Sequence, residues 1–267
     1  MTRIEKFGWR EAVEPGIGRV VSAHGDYYHL VCNEAEGEIL ARKKKSAFMA
    51  PGSVRPMTGD FVRFRYNPDG ESMITGTLER FSKFERKDPT ARRKAQTLAV
   101  NFDTLFVMMG LDGNFSLPRL ERYLALAEDV GKADVAVVLT KKDIAGERPE
   151  IGDEFGGREV VRISSVTGEG LDRIRRYACA GRTVAFIGSS GVGKSTLLNA
   201  LAGEEWQATQ AVQEWSGKGR HTTTSRELIM LPCGAMAIDT PGIREIGMVG
   251  EVDDILLKGE SSHRYRK

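Results

Sequence analysis

The spacing of hydrophobic positions changes along this chain, and the change divides it. Between residues 17 and 81 the apolar residues come in short runs: IGRVVSA (17–23), YYHLVCN (27–33), GEILARKK (37–44), FVRFRY (61–66) and MITGTLER (73–80). His24-Gly25-Asp26, Gly37, Thr58-Gly59-Asp60 and Asn67-Pro68-Asp69-Gly70 punctuate them as turns. About five short strands in such a span predict a small closed β-barrel. Residues 82–98, SKFERKDPTARRKAQTL, are polar and basic with Pro89 inside, the pattern of a linker with some helix in it. From Asn101 apolar strands alternate with helical spacing. TLFVMMG (104–110) precedes SLPRLERYLALAEDV (116–130), where Leu120, Tyr123, Leu124 and Ala127 share a face, Ser116 can cap and Pro118 lies in the first turn. DVAVVLT (134–140) and EVVRIS (159–164) are further strands, and GEGLDRIRRYA (168–178) is a helix. TVAFI (183–187) and TLLNALA (196–202) follow as strand and helix, with Gly203 placed to end the latter. Strands interleaved with helices predict a parallel sheet covered on both faces. The expected division is a barrel over 1–82, a linker over 83–100, an α/β domain over 101–250 and a tail over 251–267.

Composition adds little to this, charge somewhat more. The chain has 267 residues, 40% of them hydrophobic and 28% charged, ordinary for a soluble protein of about two domains. No apolar run approaches the ~20 residues of a membrane span, and the first residues carry charges throughout, so neither a membrane role nor a secretory signal is expected. Three distant cysteines, Cys32, Cys179 and Cys233, suggest neither a disulfide framework nor a cysteine zinc site, and fit a cytoplasmic protein. Residues 1–95 hold 18 Lys and Arg against 13 Asp and Glu, a net +5, and the remainder 21 against 24, a net −3. A basic first third fits a polyanionic partner such as nucleic acid, or simply a solvated surface. A five-stranded barrel of the OB-fold type commonly binds nucleic acid. The run Arg42-Lys43-Lys44-Lys45 is the candidate for phosphate-backbone contacts, against a solvated loop. In FVRFRY the arginines share one face and the aromatics Phe64 and Tyr66 the other, which makes the aromatics core candidates.

The chemistry centres on GSSGVGKS, Gly188 to Ser195, which fits G-x-x-x-x-G-K-[ST] between a strand and a helix. Successive N–H groups of Gly188, Ser189, Ser190, Gly191, Val192 and Gly193, with the helix start at Thr196, converge on one point and hold a phosphate chain by backbone. Lys194 would reach the β- and γ-phosphates as a catalytic group, and the Ser195 hydroxyl would ligate Mg²⁺. The bland alternative is a glycine-rich turn before an ordinary helix.

Four further stretches support the functional reading. Thr140-Lys141-Lys142-Asp143 ends a strand and matches [NT]-K-x-D. A carboxylate at Asp143 can accept from both N1–H and the 2-amino group of guanine, a donor pair adenine lacks, and Lys141 would lie along the base. Ser164-Ser165-Val166-Thr167-Gly168 resembles the S-A-x-x-G turn that supports guanine from the other side; otherwise it is a strand-to-helix turn capped by Thr167 or Ser165. Asp239-Thr240-Pro241-Gly242 matches D-x-x-G, with Asp239 at Mg²⁺ and the Gly242 N–H at the γ-phosphate. In GKGRHTTTSREL one threonine, Thr222, Thr223 or Thr224, could close the Mg²⁺ sphere, with Thr223 taken as the candidate. Hydrolysis needs a water held in line, often by a glutamine just after D-x-x-G. That position here is Ile243, which cannot hydrogen-bond, so His221 is the catalytic candidate, against a solvent or partner contact.

These are the usual GTPase elements in rotated order, with TKKD and SSVTG ahead of GSSGVGKS, GRHTTT and DTPG. Sheet position, not chain order, places the residues, so a site survives such rotation. With the barrel ahead of it, and with Asn101-Phe102-Asp103, GSSGVGKSTLLNAL and DTPGIRE, the chain resembles the circularly permuted GTPases that mature the small ribosomal subunit, the RsgA/YjeQ family. The resemblance covers nearly the whole chain. It implies an α/β fold with a circularly permuted P-loop GTPase domain behind an OB-fold barrel, and GTP hydrolysis stimulated by the small (30S) subunit. It also implies GTP/GDP and Mg²⁺ as ligands, contact with 16S rRNA and a monomer in the cytoplasm. Ile243 agrees with the family's hydrophobic residue at the glutamine position. The family continues after D-x-x-G with a zinc domain of cysteines and a histidine. The tail here has no cysteine and only His263, so a Zn²⁺ site is expected to be absent and coupling to the ribosome weak. The alternatives are a nucleotide-gated RNA-binding module without turnover, and an ATP-using P-loop enzyme.

Overall fold

The computed structural model describes residues 1–86, 96–146, 151–203 and 227–239. A single helical turn, α1 (Arg3–Lys6), leads into five strands: β1 (Ile17–His24), β2 (Tyr27–Cys32), β3 (Ile39–Lys43), β4 (Phe61–Arg65) and β5 (Ser72–Thr77). β1 pairs with β2 and β2 with β3, β3 runs parallel to β5, and β5 pairs with β4, which returns to β1. The sheet therefore closes on itself, as the OB-fold reading expects. Alternate residues fill its interior: Val20, Tyr28, Leu30, Ala41, Val62, Phe64 and Ile74. Phe64 is buried as expected, whereas Tyr66 is 39% exposed, one residue past the end of β4; Phe61, on the face of the arginines, is buried against Ile4 and Ile17.

The segment read as a linker begins and ends in strands. β6 (Lys83–Arg86) and β7 (Gln96–Val100) pair antiparallel, with Phe84 and Leu98 in the core. The charged residues and Pro89 between them hid two short strands, although Leu98, Ala99 and Val100 are all buried.

The second half is built on β8 (Thr104–Gly110), α2 (Leu117–Leu126), β9 (Asp134–Thr140), β10 (Glu154–Phe155), β11 (Arg158–Arg162), α3 (Leu171–Tyr177), β12 (Thr183–Ile187), α4 (Lys194–Ala202), β13 (Glu227–Met230) and β14 (Met236–Asp239). β11, β9, β8, β12 and β14 lie side by side in that order, all parallel. Every residue of β8 and β12 is buried, which explains their unbroken apolar sequences. Leu105, Val107 and Met109 point to the side of Leu120 and Tyr123 from α2. Phe106 and Met108 point to the side of Leu171, Ile174, Leu197 and Leu201 from α3 and α4. Ser116 caps α2, accepting from the Arg119 N–H. α3 starts at Gly170 in the left-handed region, without a side-chain cap, so neither Thr167 nor Ser165 serves as its cap. A Cβ at Gly170 would lie 2.2 Å from the Arg162 carbonyl oxygen, so only glycine allows that turn.

Barrel and parallel sheet are joined. β13, antiparallel to β14, meets β1 at Ser22 and Glu227. Arg19 of β1 is buried at 1% exposure and donates to the Phe7 and Asn101 carbonyls, with its guanidinium 4.7 Å from the Phe61 ring centre and 3.5 Å from Met236 Sδ. Burial lowers its pKa to about 9, against the opposing pull of Asp103, so it remains charged at neutral pH. Asp60, fully buried, pairs with Arg80 and accepts from the Asn101 amide, while Asn101 itself holds φ 52°. Asp103 accepts from the Thr183 N–H at 2.7 Å and so fixes the start of β12.

Candidate nucleotide site

The loop after β12 begins where a strand neighbour leaves no room. A Cβ at Gly188 would stand 2.8 Å from the Met108 carbonyl oxygen of β8. Gly191 and Gly193 adopt φ 72° and 100°, conformations that L side chains resist. Between them Val192 is buried, pinning the loop to the core, while Ser190 and Gly191 face outward. Gly193 caps α4, Leu197 donates to its carbonyl, and Ser195 and Thr196 are exposed on the first turn. Lys194 Nζ lies 3.2 Å from the Gly188 carbonyl oxygen, across the loop it belongs to. The helix is nine residues long, so the positive end of its dipole adds to the loop N–H groups.

The TKKD segment leaves β9 two strands away, with β8 between. Thr140 is buried and its hydroxyl donates to the Val192 carbonyl at 2.6 Å, joining this segment to the phosphate-type loop. Lys141 holds φ 62°, one of two non-glycine residues with positive φ among those described. Its ammonium pairs with Asp112, in the loop after β8. Lys142 is exposed and pairs with Glu169. Asp143, also exposed, accepts from the Ser164 hydroxyl at 2.6 Å. Ser164 is fully buried, takes the Thr167 N–H on its own oxygen, and thereby stations Asp143 from beneath. Ser165 is half-buried beside it. Thr140, Asp143, Ser164 and the 188–193 loop thus share the carboxyl edge of one parallel sheet, where open α/β sheets hold their ligands.

β14 ends at Asp239, one residue beyond Ile238, which pairs with Ala185 of β12, so the backbone brings Asp239 to the same edge. His221, Thr222, Thr223, Thr224, Thr240, Pro241, Gly242, Ile243 and the 251–267 tail lie outside the described residues. Among the described residues no group of three or more His, Cys, Asp or Glu is placed to hold a metal ion, and no helix is long and apolar enough to cross a membrane. On the barrel, Arg42 stacks on Tyr27 at 4.3 Å and pairs with Glu71, and Lys43 pairs with Asp26, while Lys44 and Lys45 are exposed.

Asp112 is the residue that motif reading missed. It follows an apolar strand in a plain Leu-Asp-Gly turn, and its only signal was a position at the end of the strand next to TKKD.

Comparison with known proteins decides the family. The RsgA GTPase family model matches residues 77–249. The chain belongs to the RsgA GTPase family. A "Small ribosomal subunit biogenesis GTPase RsgA 2" of Lactiplantibacillus plantarum is 40% identical over 234 residues, 86% of this chain and 66% of that protein. RsgA of Leptospira interrogans is 37% identical, with 92% of this chain and 71% of the relative covered. For RsgA 2 of Vibrio parahaemolyticus the figures are 43%, 92% and 69%. The chain spans about two thirds of the length of these relatives. Solved structures agree on the fold. YjeQ from Thermotoga maritima superposes with a TM-score of 0.64 at 24% identity, over 86% of this chain and 76% of that one. YloQ, described as a circularly permuted GTPase, gives 0.53 at 20%, over 84% and 70%. The strand order accounts for the RsgA motif order: the loops after β9 and β11 come before the loop after β12 in sequence, yet all three meet at one edge.

Proposed function

We propose that this chain binds GTP along the carboxyl edge of its parallel sheet and hydrolyses it in late maturation of the small (30S) ribosomal subunit, in contact with 16S rRNA. The observation that carries the reading is the tie between its two halves, the Thr140 hydroxyl on the Val192 carbonyl beside the Ser164–Asp143 bond. Guanine would meet Asp143 and the 164–165 turn. The phosphates would meet the N–H groups of 188–193 and Lys194. The cradle fits such a chain, since glycine at 188 leaves the space and glycines at 191 and 193 supply the turns. Mg²⁺ suits the exposed Ser195 hydroxyl, with Asp239 and Thr223 completing its set; when bound it would offset charge on the β- and γ-oxygens. His221 would orient the attacking water, since Ile243 cannot, and the Gly242 N–H would register the γ-phosphate.

The reading keeps a barrel over 1–82, a connecting segment over 83–100 and a permuted GTPase domain over 101–250, and the end of the family match at 249 supports the last of these bounds. It makes the protein a cytoplasmic monomer, with Lys44 and Lys45 as the freer cations for RNA phosphates. GTP turnover by this chain, with and without purified small ribosomal subunits, tests it. The expected result is slow turnover that subunits raise measurably but weakly, by about two- to threefold. Turnover that subunits leave unchanged would overturn the ribosomal part, and RNA binding that follows nucleotide without turnover would replace it by a binding module.

A further inference from the structure

The parallel sheet places β8 between the strand that carries TKKD and the strand that carries the phosphate-type loop. The loop after β8 therefore lies between the two halves of the site. Asp112 stands there, and its carboxylate is seated on three sides. One oxygen faces the Lys141 ammonium, the other accepts from the Asn114 N–H at 3.0 Å, and Gly110 leaves the room beneath. A Cβ at Gly110 would approach that carboxylate to 3.1 Å. Lys141 holds its carboxyl below the usual aspartate range. Neither side chain is fully exposed, at 30% for Lys141 and 18% for Asp112.

We propose that Asp112 is a positioning residue for the guanine base, fixing the stem of Lys141 as the surface along which the base lies. The proposal rests on the reading of this edge as a guanine-nucleotide site. A lysine has four side-chain torsions, and an unanchored one would have to be ordered each time a base arrived. The left-handed backbone at Lys141 sets where the side chain starts, and the pair with Asp112 sets where it ends. Preorganisation of this kind slows release more than it speeds arrival. Asp112 acts through Lys141, and the phosphate loop has no direct share in the pair.

The test measures release of fluorescent mant-GDP from the whole chain and from Asp112→Ala, Asp112→Asn, Lys141→Ala and the double alanine variant. Sodium tripolyphosphate competition and ligand-free melting are measured alongside. Asp112→Ala is expected to release mant-GDP about tenfold faster, Lys141→Ala similarly, and the double variant no faster than the worse single one. Asp112→Asn, which keeps an acceptor oxygen, recovers part of the loss. Tripolyphosphate affinity and the ligand-free melting temperature stay at their wild-type values. Release from Asp112→Ala at the wild-type rate, full additivity in the double variant, or an equal loss of tripolyphosphate affinity would each overturn the proposal. Wild-type protein that fails to bind mant-GDP would instead overturn the nucleotide reading itself, and this role of Asp112 with it.

Discussion

Thr140 shows how much one hydroxyl decides. In sequence it is the first letter of a base-reading motif; in space it is buried and donates its proton to the Val192 carbonyl of another loop. Thr140→Val keeps the shape and leaves that carbonyl unpaired, which is expected to cost about 1–3 kcal/mol. Chemical unfolding should report that loss, and nucleotide affinity should fall with it because the loop loses its tether. Unchanged values in both measurements would mean that the two halves of the site are independent. Ser164 is of the same kind, since it serves Asp143 from a fully buried position. Sequence could name these residues because their motifs are short and local. It could not tell which touch a ligand and which hold a neighbour, because that depends on strands brought together from distant parts of the chain. Asp112 went unseen for the same reason: its partner lies 29 residues on.

Among the elements, those with strong internal signals were legible. α2 shows its cap, its early proline and its apolar face, and α4 stops at Gly203 as the sequence suggests. The barrel strands were legible from turns on either side. β6 and β7 were not, because charged residues and Pro89 dominate the segment between them, although Phe84 and the run Leu98, Ala99 and Val100 are buried. The loop at 188–193 is where an element is most sensitive to change, and its glycines differ in kind. Gly188 is small because the β8 backbone stands 2.8 Å from where a Cβ would be, whereas Gly191 faces open space and needs only its positive φ. Gly188→Ala therefore forces two strands apart and should cost about 1–3 kcal/mol, with loss of GDP-induced stabilisation. Gly191→Ala incurs only the left-handed penalty of about 1–2 kcal/mol and should keep a melting shift with GDP. Melting both variants with and without GDP separates the two causes; equal behaviour would contradict this account of the loop.

At the scale of the molecule, the chain places its parts by sheet position rather than by order. β11, β9, β8, β12 and β14 stand in a row that the sequence visits out of turn, so the loops after β9 and β11, synthesised early, share an edge with the loop after β12, synthesised later. The rotated motif order was legible, but the seam with the barrel was not. Arg19 looks like one polar residue in the strand IGRVVSA, yet it is buried against Phe7, Phe61, Asn101 and Met236. Through it and the Ser22–Glu227 pairing the barrel borders β13 and β14, the strand pair that ends in Asp239. The central claim is that the carboxyl edge of the parallel sheet selects guanine nucleotides through the Asp143 carboxylate. The most direct measurement is competition for bound mant-GDP by GTP, ATP and XTP, on the wild-type chain and on Asp143→Asn. The account predicts that GTP competes far better than ATP or XTP on the wild type. Asp143→Asn should lose GTP and gain XTP, because an amide can donate to the 2-carbonyl of xanthine where a carboxylate accepted from the 2-amino group of guanine. ATP competing as well as GTP on the wild type, or Asp143→Asn keeping its preference for GTP, would contradict it.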